Sequence, residues 1–235
     1  MKIQWKWISP FIFISILAPF TPWLDLALAR FFFKEGAFYN SPFFRFMFCY
    51  GERFGFLVAF IALAVFLLSF FAERFRKMRR GALAMVVTLI LGAGLVVNVG
   101  LKEFWGRPRP KQVIEFGGTQ HYRPFWSPNF GKVEGDAQKS FPSGHTAIGF
   151  YYLSLLLVGR RYRNRALYYS GLGLTSFWGI GLMLTRVVQG GHFFSDVIVS
   201  PAIMWWSALF VDHLLFTRQN PPALGDAQES PCRRS

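Results

Sequence analysis

Residues 82–101 read ALAMVVTLILGAGLVVNVGL, a run of 20 residues without a charged side chain. About 20 consecutive apolar residues form an α-helix long enough to cross the hydrocarbon core of a bilayer. Further apolar runs lie at 8–28, 54–72, 146–158, 167–185 and 193–216. Together they predict an all-α, polytopic membrane protein with six transmembrane helices in one bundle. The run at 146–158 is short, so we expect its helix either to extend back into residues 141–145 or to tilt little in the membrane.

The composition agrees with a chain that is mostly embedded in lipid. Hydrophobic residues make up 53% of it and charged residues 16%, whereas soluble domains carry about 25% charged residues. A transporter would place charges or broken helices inside several spans, but these runs are nearly free of charge. We therefore expect one domain over 1–219, followed by a disordered cytoplasmic tail over 220–235, which is rich in Pro, Ser and charge. The first run could also be a cleavable signal peptide, although its length and its Pro19, Pro22 and Asp25 favour a retained helix.

The net charge of +14 indicates orientation in the membrane rather than a nucleic-acid partner. Arginine and lysine concentrate in two short loops, at 74–80 and 160–165, which fall on the same side of the predicted bundle. The positive-inside rule makes that side cytoplasmic. Cys49 and Cys232 then lie on opposite sides of the membrane, so we expect no disulfide between them.

The outward stretch 30–53 interleaves phenylalanines with Lys34, Arg45 and Arg53. This mixture is typical of an amphipathic helix that lies flat in the interface. It is equally typical of an aromatic belt around a simple loop, and the sequence does not separate the two.

Three short clusters lie on the outward side: KEFWGRPRP at 102–110, FPSGH at 141–145 and RVVQGGHFFSD at 186–196. Each of them adjoins an apolar run at the same face of the predicted bundle. Stretches that are far apart in the sequence can therefore converge on one site.

The clusters contain groups that suit a phosphate. Lys102, Arg109 and Arg186 are cations at the water interface, and their donors match the non-bridging oxygens of a phosphate. Ser143 and Gly144 precede a predicted helix, where free backbone N–H groups favour an anion. The clusters therefore predict a phosphate-binding site.

Two histidines in the clusters could carry the chemistry. Covalent phosphoryl transfer needs a nucleophile and a separate proton donor, roles that His145 and His192 could share. Asp196 lies four residues after His192, so on a helix it could orient that imidazole. The same spacing could be half of a metal site, but no cluster of carboxylates or cysteines completes it.

Three charges near the clusters have less certain roles. Arg107 and Lys111 could be extra phosphate or headgroup contacts, or simply solvated charges. Asp25, near the outer end of the first run, is expected to be hydrated or to snorkel towards water.

At this point the sequence resembles the type 2 phosphatidic acid phosphatase (PAP2) superfamily, which also includes bacterial acid phosphatases and vanadium haloperoxidases. The family pattern is K-x6-RP, then PSGH, then SR-x5-H-x3-D. One departure is Thr185, which stands where the pattern has Ser but also carries a hydroxyl. The resemblance covers approximately residues 81–201. The matching residues are Lys102, Arg109 and Pro110; Pro142, Ser143, Gly144 and His145; and Arg186, His192 and Asp196.

The resemblance implies a role for each matching residue. His192 would be the nucleophile that forms a phosphohistidine, Asp196 would orient it, and His145 would protonate the leaving oxygen and then activate water. The family is metal-independent, so the resemblance implies no metal and no other cofactor. The residues that would hold the phosphate are Lys102, Arg109, Ser143, Gly144 and Arg186.

The resemblance also implies the class of substrate, a lipid phosphate or diphosphate in the membrane. The stretch 106–118 is similar to bacterial lipid A phosphatases, which would place the protein in a bacterial inner membrane with its site facing the periplasm. Undecaprenyl-diphosphate and phosphatidylglycerophosphate phosphatases share the motifs, and a phosphohistidine could also pass its phosphate to a second lipid. Vanadium haloperoxidases are soluble, so the apolar runs argue against that branch. The sequence does not predict an oligomeric state.

Overall fold

The structure is a computed structural model that describes residues 5–130 and 138–216. It confirms an all-α architecture, because nearly all of the ordered elements in these ranges are helices. The tail at 220–235 and Cys232 lie outside the described residues. The α-helices are α1 Trp5–Leu17, α2 Thr21–Phe32, α3 Pro42–Leu68, α4 Glu73–Arg76, α5 Arg79–Thr88, α6 Gly144–Phe150, α7 Leu153–Arg161, α8 Arg165–Leu174, α9 Gly181–Val188 and α10 Phe194–Phe216.

Short helical turns and π-helical segments join several of these helices into longer rods. The turn Ala18–Phe20 joins α1 to α2, the π-helical segment Leu89–Lys102 continues α5, and the π-helical segment Thr175–Ile180 joins α8 to α9. In the described part of the chain, five rods are long and apolar enough to cross a membrane. They are Trp5–Phe32, Pro42–Leu68, Arg79–Lys102, Arg165–Val188 and Phe194–Phe216.

The segment predicted at 146–158 differs from the other five. It consists of α6 and α7, which are separated by a turn at Tyr151 and Tyr152, and both tyrosines are fully buried. The hydroxyl of Ser154 donates to the carbonyl oxygen of Tyr151 at 2.8 Å and so supports the turn. The five long apolar rods confirm a multi-helix membrane protein. Because α6 and α7 are not one of these rods, the count of six transmembrane helices stays a prediction.

The stretch 30–53 forms neither a flat interfacial helix nor a simple loop. Its first part is an antiparallel hairpin of two short strands, β1 Phe33–Lys34 and β2 Ala37–Phe38, which turns at Glu35 and Gly36. Both turn residues have positive φ, and Gly36 adopts it without a side-chain penalty. The helix α3 then begins at Pro42 and runs on without a break, so the aromatic residues of 42–53 belong to the outer turns of a span.

Small residues let α3 approach its neighbours closely. Its buried positions include Gly51, Gly55 and Ala59, which recur every four residues along one face. Added Cβ atoms at the two glycines would collide with the side chains of Leu182 in α9 and Ile148 in α6. Lipid does not drive apolar helices together as water does, so close packing of small residues is the main source of helix association here. This packing brings α3 against the helices that carry two of the three motifs.

Polar contacts hold the other end of the bundle. Arg161 of α7 forms an ion pair of 2.6 Å with Asp212 of α10. The backbone N–H of Gly81 donates to the hydroxyl of Tyr162 at 2.8 Å. These contacts lie far from the motifs and fix the ends of α5, α7 and α10 that were predicted to face the cytoplasm.

Candidate active site

All three motifs meet at one end of the helix bundle. Lys102 lies at the end of the π-helical segment, and its Nζ would be 3.5 Å from a Cβ atom added to Gly144, the first residue of α6. Arg186 lies in the last turn of α9, and the loop that follows leads to His192 and α10. The structure therefore brings together the cations and histidines that the sequence predicted.

The first part of the site is the cation Arg186, which packs against the backbone of Gly191. The guanidinium of Arg186 lies directly against the backbone of Gly191, where any Cβ atom would overlap it. On its other side the guanidinium stacks over the ring of Phe48 in α3, 4.8 Å from the ring centroid. Arg186 is 7% exposed, so its position is fixed by packing before any ligand arrives.

Two arginine donors near the site have no hydrogen-bond partner in the part of the chain that the structure describes. The Nε atoms of Arg109 and Arg186 are both buried, and neither has a hydrogen-bond partner among the described residues. A buried donor without a partner costs ~1–3 kcal/mol, more when it is charged. Oxygen atoms of a phosphate are the kind of acceptor that would satisfy both guanidinium groups.

His192 is buried, and its ring nitrogen Nδ1 is hydrogen-bonded to the backbone. Its Nδ1 lies 2.5 Å from the backbone carbonyl oxygen of Ser140. Because a carbonyl oxygen can only accept, Nδ1 must carry the proton, which leaves Nε2 with a free electron pair. Burial lowers the pKa of His192 to about 3, and the nearby cation Arg186 acts in the same direction. The imidazole is therefore neutral at ordinary pH.

Asp196 does not hold His192 directly. Its carboxylate oxygen Oδ2 is 3.7 Å from Nδ1 of His192, which is longer than a hydrogen bond. The same oxygen accepts from the hydroxyl of Ser140 at 2.6 Å and from the backbone N–H of Phe193 at 2.8 Å. Asp196 therefore fixes Ser140, and the carbonyl of Ser140 fixes the histidine.

The buried residue Arg107 neutralises the Asp196 carboxylate. Arg107 is 0% exposed and forms ion pairs with Asp196 and with Asp25, the latter at 2.7 Å. Burial acts to lower the pKa of Arg107, but the two carboxylates outweigh it and hold this pKa above its ordinary value. Both sequence expectations for this pair are wrong. Arg107 is neither a solvated charge nor a phosphate contact, and Asp25 is not hydrated, because the two side chains pair in the core.

His145 has a partner that the motifs did not include. Its Nδ1 lies 3.0 Å from a carboxylate oxygen of Glu52 in α3. The imidazole also stacks on the ring of Phe48, with centroids 4.7 Å apart and planes 10° apart. Glu52 and Phe48 together fix the position and the plane of the imidazole ring, the one through Nδ1 and the other through the ring face.

Ser143 and Gly144 lie at the start of α6, as predicted. The side chain of Ser143 caps the helix by accepting from the backbone N–H of Thr146 at 3.3 Å. Its own backbone N–H donates to the carbonyl oxygen of Asp196 at 3.4 Å. Ser143 thus ties α6 to α10, and its contact with a phosphate stays a prediction.

Comparison with known proteins decides the family. The PAP2 superfamily matches residues 81–220, more than half of the chain. The chain belongs to the PAP2 superfamily. The lipid A 4'-phosphatase of Francisella tularensis subsp. novicida (strain U112) is 33% identical over 210 residues, covering 84% of this chain and 89% of the relative. This membership confirms the resemblance inferred from the three motifs.

Other relatives of this PAP2 protein match over shorter stretches. The lipid A 4'-phosphatase of Rhizobium leguminosarum is 35% identical over 61% of this chain and 55% of the relative. A lipid A 1-phosphatase of Rhizobium etli (strain ATCC 51251 / DSM 11541 / JCM 21823 / NBRC 15573 / CFN 42) is 32% identical over 54% of this chain and 47% of the relative. No solved structure matches the chain significantly.

Several residues of this PAP2 site escaped the sequence reasoning. Asp25 and Glu52 lie outside the residues that match the superfamily, and each reaches the site from a helix near the N-terminus. Ser140 acts through its backbone carbonyl, which side-chain patterns do not reveal. The one available signal was the presence of a carboxylate within an otherwise apolar span, since such groups are costly unless they are paired.

The described part of the PAP2 chain contains no group of three or more His, Cys, Asp or Glu side chains that could hold a metal ion. Asp196 is already shared between Arg107, Ser140 and the backbone of Phe193. The alternative that His192 and Asp196 form half of a metal site therefore gains no support from the geometry.

Proposed function

We propose that this chain is a membrane phosphatase that removes the 4'-phosphate of lipid A. The observation that carries the proposal is the meeting of a neutral, oriented imidazole with two buried, unpartnered arginine donors. The choice of lipid A and of the 4'-position rests on the relative from Francisella, which covers most of this chain and bears that name.

The reaction would begin with attack by Nε2 of His192 on the phosphorus atom. A phosphorus–nitrogen bond forms as the bond from phosphorus to the sugar oxygen breaks, and the proton stays on Nδ1, which keeps donating it to the Ser140 carbonyl. Lys102, Arg109 and Arg186 would hold the phosphate oxygens as charge develops on them. Asp196 would support the nucleophile through Ser140, as the hydrogen bonds indicate.

His145 would supply the proton for the leaving sugar oxygen. The carboxylate of Glu52 holds Nδ1 of His145, which leaves Nε2 as the ring nitrogen that would donate the proton. The deprotonated His145 would then take a proton from water, whose oxygen attacks the phosphohistidine. Inorganic phosphate leaves and His192 returns to its starting state, so no metal or other cofactor takes part.

We further propose that the chain crosses the inner membrane of a bacterium six times, with α6 and α7 forming the fourth crossing. The cationic loops at 74–80 and 160–165 favour a cytoplasmic location for the opposite end of the bundle. The site would then face the periplasm. Cys49, exposed at the site's end of α3, provides a test in a Cys232→Ser variant. A membrane-impermeant maleimide should label it in intact spheroplasts, and labelling only after lysis would contradict the orientation.

The function is tested with purified protein and lipid A that carries both phosphates. We expect mass spectrometry to show loss of one phosphate, from the distal sugar. We also expect His192→Ala to release none while eluting as the folded protein does, with His213→Ala, an exposed histidine of α10, as the matched control. Loss of the phosphate from the reducing sugar would make the protein a 1-phosphatase. Unchanged lipid A beside rapid hydrolysis of undecaprenyl diphosphate would overturn the assignment.

A further inference from the structure

A cavity opens beside Arg186, one of the cations proposed to hold the phosphate. Most of its lining residues have no role in the reaction proposed above. It has a volume of about 440 Å³, which falls within the range of ~300–1,000 Å³ typical of small-molecule sites. Its wall carries the cations Arg45, Lys111 and Arg186 and the amide side chains of Asn40 and Gln189. None of its lining residues within 5–130 and 138–216 carries a carboxylate.

The cavity is continuous with the site of phosphate transfer. Arg186 and Gly191 line it, and these residues also form the wall of the phosphate cluster. Phe48 lines it too, and the same ring stacks on His145. The cavity therefore lies close enough to His192 for one substrate to reach both places.

The far wall of the cavity is fixed by contacts between distant parts of the chain. Gln189 donates from its side-chain amide to Asn40 at 3.1 Å, which joins the end of α9 to the segment before α3. Lys111 is anchored by its backbone N–H, which donates to the carbonyl oxygen of Gly190 at 3.3 Å. The ring of Phe38 packs against Gly190, so the hairpin closes the cavity from the side.

The charges of the cavity select its ligand. Neither Arg45 nor Lys111 forms an ion pair with any described residue, and both side chains are exposed. Cations that line a concave surface without carboxylates attract anions and concentrate them there. The neighbouring Arg186 adds a third positive charge, which favours an anion further and disfavours a cation.

We propose that this cavity is a second anion subsite, which binds the other phosphate of a sugar headgroup while its partner phosphate is cleaved at His192. The inference rests on the proposed function, since it requires a substrate with two phosphates on one headgroup. Arg45 and Lys111 contact the phosphate that stays, and Asn40 and Gln189 face the sugar between the two phosphates.

Steady-state kinetics test the subsite with two lipids. One carries both phosphates, and the other carries only the phosphate that is cleaved. A charge-assisted contact is worth about tenfold or more in binding, so we expect the wild type to have a KM that is lower by about 10- to 100-fold for the bisphosphorylated lipid. Arg45→Gln/Lys111→Gln should bring the two KM values together and change kcat by less than about threefold. Arg53→Gln, at an exposed arginine on the same helix α3 but outside the cavity, should keep the wild-type KM ratio.

Protection of Cys49 gives a measurement that does not depend on turnover. Its thiol is exposed and lines the cavity. In a His192→Ala/Cys232→Ser variant, the bisphosphorylated lipid should slow alkylation of Cys49 by N-ethylmaleimide several-fold. The monophosphorylated lipid should slow it less, and inorganic phosphate alone should not slow it.

The outcomes separate the two proposals. Hydrolysis by the wild type with equal KM values for both lipids, or equal protection of Cys49 by both, would overturn the subsite and leave the phosphatase assignment intact. Protection by inorganic phosphate alone would show that the cavity binds free phosphate and would also overturn it. Absence of phosphate release from either lipid by the wild type would overturn both proposals.

Discussion

Replacing Asp25 by alanine should destabilise the protein more than any change at a surface ion pair. The Asp25 carboxylate is 1% exposed and accepts from Arg107 at 2.7 Å and from the hydroxyl of Tyr122 at 3.0 Å. It also accepts from the backbone N–H of Ser195 at 2.8 Å and from the Ser195 hydroxyl at 2.7 Å. The variant would leave these donors without an acceptor in the core and Arg107 with a single carboxylate partner, Asp196.

Breaking a buried ion pair by removing one partner costs ~3–5 kcal/mol of unfolding free energy. For a chain of 150–250 residues, 1 kcal/mol corresponds to a change of about 2–4 °C in the unfolding temperature. We therefore expect Asp25→Ala to lower the unfolding temperature by about 6–20 °C. Phosphate release at permissive temperature should also fall, because Arg107 holds the carboxylate of Asp196 that supports Ser140 and His192.

The measurement is thermal unfolding in detergent, followed by tryptophan fluorescence. The matched control is Glu73→Ala, which breaks an ion pair with Arg76 at the other end of the bundle, where the two side chains are 93% and 69% exposed. Exposed pairs contribute about 0–1 kcal/mol, so the control should shift the unfolding temperature by no more than about 4 °C. The reasoning is refuted if Asp25→Ala unfolds at the same temperature as the control.

Three further predictions concern the site. Since the pKa of His192 is about 3 in the folded protein and 6.5 without its environment, the unfolded chain binds more protons between these values. The unfolding temperature should therefore fall as pH is lowered through that window, and His192→Gln should show a shallower fall. Glu52→Gln should lower kcat by about 10- to 100-fold and move the alkaline limb of the kcat profile to lower pH, because His145 loses the carboxylate that stabilises its imidazolium; an unchanged profile would contradict that role. Phosphate release should continue undiminished in EDTA, and loss that is reversed by Mg²⁺ or Zn²⁺ would show that a metal takes part.

The motif residues could be predicted because each motif is recognised from residues that are close together in the sequence. The spacing from His192 to Asp196 and the order Pro-Ser-Gly-His before α6 determine where these residues lie on their helices. The face on which the motifs meet followed from the apolar runs and the charge of the loops. Contacts between distant segments could not be predicted in this way. Asp25 is 82 positions from Arg107 and 170 from Ser195, and no periodicity connects them.

Two other features lay beyond the sequence for different physical reasons. The aromatic and basic residues of 42–53 suit the membrane interface whether their helix lies flat or stands upright, so composition alone could not choose. In the structure these residues form the first turns of the long helix α3, whose small residues on one face pack against α6 and α9. The hydrogen bond that orients His192 goes to the backbone carbonyl of Ser140. Because every residue type has such a carbonyl, the sequence does not reveal which residue provides it.

The long separation between Asp25 and its partners has a consequence for how the protein is made. Asp25 leaves the ribosome early and must enter the bilayer before Arg107, Tyr122 and Ser195 have been synthesised. An unpaired carboxylate within a span raises the free energy of membrane insertion. We therefore expect the first helix to insert weakly until the later segments have been synthesised. The same contacts hold the carboxylate of Asp196, which fixes Ser140 beside His192, the proposed nucleophile, so the proposed site is complete only after the last helix has been made. A fragment limited to residues 81–220, the part that matches the superfamily, would retain the motifs and yet lack Asp25, which would leave Asp196 as the carboxylate partner of the buried Arg107.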